Sequence, residues 1–229
     1  MFGSEETLGI ITSAVVKLFP LPEVQHYGSV LFPSFEDGVA FMYALTQAGG
    51  QPASVRLDDN IQFQLSMVLK PAPTRLGSLI SGIQKVYVTT IKGFDPYKMV
   101  ACTLVFGGSA NDVKHQEDLL YRIAAQHNGI QAGAENGERG YLLTYNIAYI
   151  RDFGNEHYIM AESFETSVPW SRVLELCGRV KQRVKEEHAL RRLPENPFVT
   201  CRVTQVYDTK AGAIENRPSL KGRVRKVIL

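Results

Sequence analysis

Cysteine is scarce in this chain: three in 229 residues, Cys102, Cys177 and Cys201. They lie far apart, are odd in number and show no C-x-x-C spacing. That argues against a disulfide framework and fits buried thiols in a reducing compartment. No run of eighteen apolar residues occurs, so no membrane-spanning helix is expected. No basic stretch followed by an apolar core opens the chain, so no secretory signal is expected. The five histidines, His26, His115, His127, His157 and His188, lack H-x-H or H-E-x-x-H spacing and give no zinc site. A G-x-S-x-G elbow and a P-loop are also missing, which removes the common serine-hydrolase and nucleotide-hydrolase signatures. What remains is 45% hydrophobic and 21% charged, an ordinary globular composition, long enough for one large domain or two small ones.

The net charge of +2 hides an asymmetry. Residues 210–229 hold six basic side chains (Lys210, Arg217, Lys221, Arg223, Arg225, Lys226) against Glu215, a balance of +5, and leave the rest at −3. Such a tail suits an anionic surface, nucleic acid or membrane, or is a solvated tail with no partner.

Pattern predicts alternating strands and helices. Residues 10–19 read as a strand covered on both faces, stopped by Pro20 and Pro22. Val30 to Phe32 reads as a short strand, and Ser34 as the cap of a helix through Ala48 that ends at Gly49-Gly50. Pro52 to Arg56 is extended, Leu57-Asp58-Asp59 opens a helix, and Pro71, Pro73 and Gly77 break the chain. A mixed segment covers 79–91, a strand Met99 to Phe106, and a helix 109–127, whose stripe is Val113, Leu120, Ile123 and Ala124. Ala132 to Gly140 reads as a loop, Tyr141 to Ile150 as helix or strand, and Tyr158 to Val168 as a strand. Ser167 is expected to cap a helix with Val173, Leu176, Val180 and Val184 on its inner stripe. Phe198 to Tyr207 is the last strand, and no periodicity is visible beyond Asp208. The pattern suits an α+β layer with helices on a largely antiparallel sheet.

Few residues are marked out by chemistry. The glycine-bracketed turn Gly3 to Thr12 lets backbone approach a planar cofactor or a pyrophosphate, though its spacing alone is weak. Glu162 and Glu165, three apart on a strand, face opposite sides and make a poor acid–base pair. Arg151 follows the aromatic run from Tyr145 and either pairs with an acid at the edge of the core or binds an anion in a pocket. Arg56 and Arg202, both in β-type sequence, pose the same question.

Taken in order, G-S-E-x-T-L-G-I-I-T, A-S-V-R-L-D-D-N, K-G-F-D-P, R-G-Y-L-L-T-Y-x-I-A-Y-I-R-D, E-S-F-E-T-S-x-P-W and T-C-R-V-T-Q-x-Y-D resemble one family over about residues 3 to 208. It is the alkyldihydroxyacetonephosphate (alkylglycerone-phosphate) synthases, among the FAD flavoproteins of the vanillyl-alcohol oxidase/p-cresol methylhydroxylase type. The resemblance implies an α+β cap domain with a mainly antiparallel sheet covered by helices, preceded by the last strand of an FAD-binding PCMH-type domain. Residues 1–19 are then the remnant of the FAD domain, 20–208 the substrate cap, incomplete at its C-terminus, and 209–229 a basic, disordered, non-homologous tail.

The implied reaction exchanges the acyl chain of acyl-dihydroxyacetone phosphate for a fatty alcohol in ether-lipid synthesis, with FAD and without net redox change. Glu5, Glu6, Thr7, Leu8, Gly9, Ile10 and Ile11 match the FAD-contacting stretch, Arg151 the substrate-binding arginine, and Arg56 an arginine whose replacement impairs the enzyme, placed near the flavin. The resemblance also departs in places. Glu6 stands where the family has glycine. Ile214 stands where its catalytic tyrosine belongs, so no catalytic residue is assigned. A partial or truncated member is the resulting expectation, without activity and with weak FAD binding on its own. Peroxisomal location is implied by the family, but the targeting peptide is absent from this stretch, which leaves the cytoplasm as the other expectation. No nucleic acid is expected as partner; a homodimer and peripheral membrane contact are. The rival expectations are a non-catalytic cap-like fragment that binds full-length synthase and a related FAD-linked 2-hydroxyacid oxidase.

Overall fold

The structure, a computed structural model, describes residues 7–18, 20–49, 52–69, 82, 85–194, 197–204 and 223–228. Strand β1 (Val24–Phe32) leads into helix α1 (Phe35–Ala48). Ser34 caps that helix by accepting the Asp37 amide at 3.1 Å, and Gly49 ends it in the left-handed conformation at φ 72°. Strand β2 (Ser54–Asp58) runs into α2 (Asn60–Val68), whose cap is Asp59. Strand β3 (Val100–Gly108) precedes α3 (Ala110–Gln126), where Ser109 and Asp112 form a reciprocal capping box. The short β4 (Ile130–Gln131) leads to α4 (Ala134–Glu156). Then come β5 (Glu165–Pro169), a 3₁₀ turn at Trp170–Arg172, α5 (Val173–Leu190), β6 (Arg202–Thr204) and β7 (Arg223–Ile228).

The strands join in one sheet of order β4-β1-β3-β2-β6-β7-β5, and every pairing is antiparallel. Alternation along each strand sends one set of side chains to each face. Val30 and Phe32 of β1, Val55 and Leu57 of β2, Val100, Cys102, Leu104 and Phe106 of β3 and Val203 of β6 share one face. There they pack with Phe41, Met42 and Leu45 of α1, Val113, Leu120 and Ile123 of α3, and Val173 and Cys177 of α5 as a single core. The opposite face carries Tyr27, Ser29, Thr103, Arg56, Asp58, Arg202 and Thr204, and α4 lies across its β1–β3 end.

Several expectations are corrected. Residues 9–18 form no strand; Ile10, Val15, Val16 and Leu18 are exposed, and a strand without a ladder partner leaves its amides unpaired. The loop expected at 132–140 is helix from Ala134 onward, and the ambiguous 141–150 continues it. Glycines there serve close packing rather than a turn. Only Glu165–Pro169 of the expected 158–168 strand is a strand. Ser167 lies within it, and α5 starts at Val173 after the 3₁₀ turn, with Arg172 at its cap position. Of the expected stripe on α5, Val173 is buried, but Val184 is exposed and Cys177 takes part of its place. Tyr87–Ile91 is a π-helical turn. The break at Pro71, Pro73 and Gly77 lies outside the described residues.

The tail is corrected too. Residues 223–228, expected as disordered, form β7, which pairs with β6 on one side and with β5 on the other. Strand β5 reaches the sheet through β7 alone among the described strands. A chain ended at Gly222 is therefore expected to lose the β5 ladder. Hydrogen exchange at the amides of residues 165–168 should accelerate by about tenfold or more; unchanged protection would show that β7 is dispensable.

Candidate functional site

The polar sheet face is built by register. Ser29 stands opposite Thr103, Thr103 opposite Arg56, and Arg56 opposite Thr204, so four polar side chains form one row across β1, β3, β2 and β6. One row along, Asp58 stands opposite Arg202, and the Arg202 Nε donates to the Asp58 Oδ1 at 2.7 Å. Burial pushes the Asp58 carboxyl above its ordinary value, and the Arg202 charge opposes that rise. Burial also lowers the Arg56 guanidinium, with the Arg202 charge adding to the effect. Thr204 is buried, and its Oγ1 has no hydrogen-bond partner among the described residues.

Two glycines bring α4 down on this face. A Cβ on Gly137 would lie 2.1 Å from the Gly28 carbonyl oxygen, and one on Gly140 would lie 2.5 Å from the Thr103 methyl. Backbone thus packs on backbone where α4 crosses β1, and the Ser29 hydroxyl donates to the Gly133 carbonyl at 2.7 Å. One residue past Gly140, the Tyr141 ring comes under the Arg56 guanidinium, 5.6 Å from its centre. Tyr27 and Tyr145 hold that ring from two sides, with centroids at 5.8 and 5.6 Å. Tyr145 donates its hydroxyl proton to the Tyr141 hydroxyl at 3.0 Å. That hydrogen bond, then burial, pushes the Tyr141 phenol up, so it stays protonated at neutral pH with its own proton left to donate.

The expected site residues are thus divided. Arg56 lies at the centre of the polar face, and Arg202 resolves to an ion pair with Asp58. Arg151 is exposed near the far end of α4, ten residues beyond Tyr141 and so about 15 Å further along the helix axis. The structure does not bring it to Arg56. Glu162 and Glu165 are both exposed. Glu5, Glu6 and Ile214 lie outside the described residues. Thr7 to Ile11 are exposed, and a Cβ on Gly9 would meet nothing within 4 Å.

Thr7 to Ile11 present an open backbone edge of the kind a planar cofactor approaches, whereas the Thr204 hydroxyl beside Arg56 is buried. An edge of this kind covers one side of a planar group and does not enclose it. The sequence reading missed Tyr27, Tyr141 and Tyr145. Their signal was the i, i+4 spacing of Tyr141 and Tyr145, legible only once that segment is known to be helix. Among the described residues no group of three or more His, Cys, Asp or Glu side chains could hold a metal. No described helix is long and apolar enough to cross a membrane.

A model of the family "FAD linked oxidases, C-terminal domain" matches residues 21–212. The alkyldihydroxyacetonephosphate synthase of Caenorhabditis elegans is 44% identical over 212 residues, which is 92% of this chain and 36% of that protein. The synthase of Trypanosoma brucei brucei is 29% identical over 205 residues, 90% of this chain and 33% of that one. The Dictyostelium discoideum synthase is 30% identical over 183 residues, 80% and 30% of the two chains. The chain thus spans roughly a third of the length of these relatives. Solved structures of alkyldihydroxyacetonephosphate synthase in two crystal forms share the fold. The first has a TM-score of 0.74 at 23% identity over 99% of this chain and 38% of that one; the second has 0.71 at 22% over 97% and 39%. The matched stretch runs from before β1 to past β6 and takes in all five described helices, with Arg56, Tyr141 and Arg151 inside it: the chain belongs to the family of FAD-linked oxidases, C-terminal domain.

Proposed function

We propose that this chain forms the substrate-side part of an alkylglycerone-phosphate synthase, the enzyme that exchanges the acyl chain of acyl-dihydroxyacetone phosphate for a fatty alcohol. The 44% identity to the Caenorhabditis elegans synthase over nearly the whole chain carries this reading. Bound FAD supplies the reactive centre for the exchange, without net redox change. The backbone edge of Thr7 to Ile11 and the polar row at Arg56 are the parts of this chain that would line it. Arg56 sets a fixed cation on that face, since a guanidinium lowered by burial is still charged at neutral pH. The Tyr141 hydroxyl, already accepting from Tyr145, has a proton to offer an oxyanion. Helix α4, seated on the Gly28 backbone, keeps water from that end of the face. Arg151, exposed on the same helix, receives the substrate phosphate.

A chimera tests this: residues 21–204 in place of the matching segment of the Caenorhabditis elegans synthase, assayed with FAD, acyl-dihydroxyacetone phosphate and a labelled fatty alcohol. Ether product is expected, and Arg151→Ala in the chimera should raise KM for the phosphate substrate by tenfold or more, an effect of about 1.4 kcal/mol or above. A chimera that holds FAD yet oxidises a 2-hydroxy acid and makes no ether would overturn the assignment in favour of the oxidase.

One observation favours a second reading, a non-catalytic module that docks on full-length synthase. The apolar residues Ile10, Val15, Val16 and Leu18, and Tyr145, Tyr149 and Phe153 along α4, are exposed. Co-purification of this chain with tagged full-length synthase would support it.

A further inference from the structure

We propose that Cys177 and Cys201 are a modification site: a thiol pair that hydrogen peroxide closes to a disulfide, tying α5 to the start of β6. The two cysteines are 24 residues apart in sequence and meet where the helix packs on the sheet. The Cys201 thiol donates to the Cys177 carbonyl oxygen at 3.9 Å, which sets its sulfur against the Cys177 residue. Such proximity is what a disulfide needs, since its Cα atoms must come within about 7 Å. Cys102, the third cysteine, is not a competitor. It stands opposite Leu57, which stands opposite Val203, so it lies two strand spacings, about 10 Å, from β6.

The surroundings assign the two sulfurs different roles. Lys181 follows Cys177 by one helical turn and pairs with Asp59. Asp59 accepts the Cys201 amide at 2.8 Å and donates its own amide to the Cys201 carbonyl at 3.0 Å, so the Cys201 backbone is pinned on both sides. The contact with Cys201, with the Lys181 charge adding, pulls the Cys177 thiol down against the effect of burial, while the same contact and burial push Cys201 up. Cys177 is therefore the nucleophile and Cys201 the resolving thiol.

The Cys177 thiolate attacks one peroxide oxygen. The O–O bond breaks, hydroxide leaves and takes up the proton Cys177 gave, and a sulfenic acid forms. The Cys201 sulfur then attacks the Cys177 sulfur, and the sulfenic hydroxyl leaves with the Cys201 proton as water. Two thiols lose two electrons, and one peroxide becomes two waters. Cys177 is 4% exposed and Cys201 fully buried, so a small oxidant such as a hydroperoxide suits the site better than a bulky disulfide. The bond would fix the strand whose next residues, Arg202 and Thr204, flank Arg56.

The test uses the full reduced chain, treated with hydrogen peroxide, quenched, alkylated in denaturant, digested with trypsin and mapped by mass. The expected product links peptide 173–179 to peptide 193–202, disappears on treatment with dithiothreitol and leaves Cys102 alkylated. The oxidised protein should melt roughly 5 °C higher. In Cys201→Ser the Cys177 sulfenic acid should persist and be trapped by dimedone. Full alkylation of both peptides after peroxide, a link through Cys102, or sulfinic acid at Cys177 without a link would each overturn the proposal. The wild-type map decides the matter even if the serine variant does not fold.

Discussion

Asp59→Ala is expected to lower stability by about 4 kcal/mol, among the largest effects open to a single substitution in this chain. The side chain is buried and serves three elements at once. It caps α2 by accepting the Gln62 amide at 2.9 Å, accepts the Cys201 amide at 2.8 Å, and pairs with Lys181 of α5. Alanine removes the cap, worth about 1 kcal/mol, leaves a buried amide unsatisfied at about 1–3 kcal/mol, and strands a half-buried ammonium. The two amides go to different carboxylate oxygens, Gln62 to Oδ1 and Cys201 to Oδ2, so Asn keeps an acceptor for only one of them and Asp59→Asn should still cost about 3 kcal/mol. Denaturant midpoints at unchanged slope would measure both. An Asp59→Ala loss below about 1 kcal/mol would mean that β6 is held to β2 by its ladder and the core alone. The functional consequence is indirect: β6 carries Arg202 and Thr204, so loosening it disturbs the row around Arg56.

Gly137→Val is expected to cost about 3 kcal/mol or more and to lift α4 from the sheet. A Cβ there would lie 2.1 Å from the Gly28 carbonyl oxygen and 2.7 Å from the Gly28 nitrogen, both backbone atoms that cannot rotate away. The helix must move, and Tyr141, four residues on, moves with it from under Arg56. The signature beyond stability is therefore loss of the aromatic ring-current shift on the Arg56 side-chain protons by NMR. Gly178 is the control. It also lies inside a helix, but a Cβ there would meet nothing within 4 Å, so Gly178→Ala should stabilise by about 0.5–1 kcal/mol. A Gly137→Val variant as stable as the wild type would show that helix propensity, not close packing, governs that position.

Local signals carried most of the elements. Ser34 stands at the helix cap its pattern marks, the helix expected from Leu57 begins after the Asp59 cap with Leu57 and Asp58 in β2 instead, and the Val113, Leu120, Ile123, Ala124 stripe is the buried face of α3. Signals failed where tertiary contact decides. Gly133, Gly137 and Gly140 look like loop residues, because glycine weakens a helix, yet Gly137 lets α4 touch the sheet backbone and Gly140 seats it on the Thr103 side chain. Residues 10–18 have strand character but pair with no strand among the described residues, and β7 lies between β6 and β5 without any alternation of its own. At the site, Arg56 was legible as a charge in β-type sequence. Its tyrosine companions were not, because the Tyr27–Tyr141 contact joins residues more than a hundred apart.

The most direct measurement is the flavin content of the purified chain after equilibration with excess FAD and removal of the free cofactor. Residues 7–11 give an exposed edge, and the polar face around Arg56 gives a contact, but nothing among the described residues closes over a bound ring. The account predicts a colourless protein with far less than one FAD per chain. A yellow protein retaining one FAD per chain would contradict it.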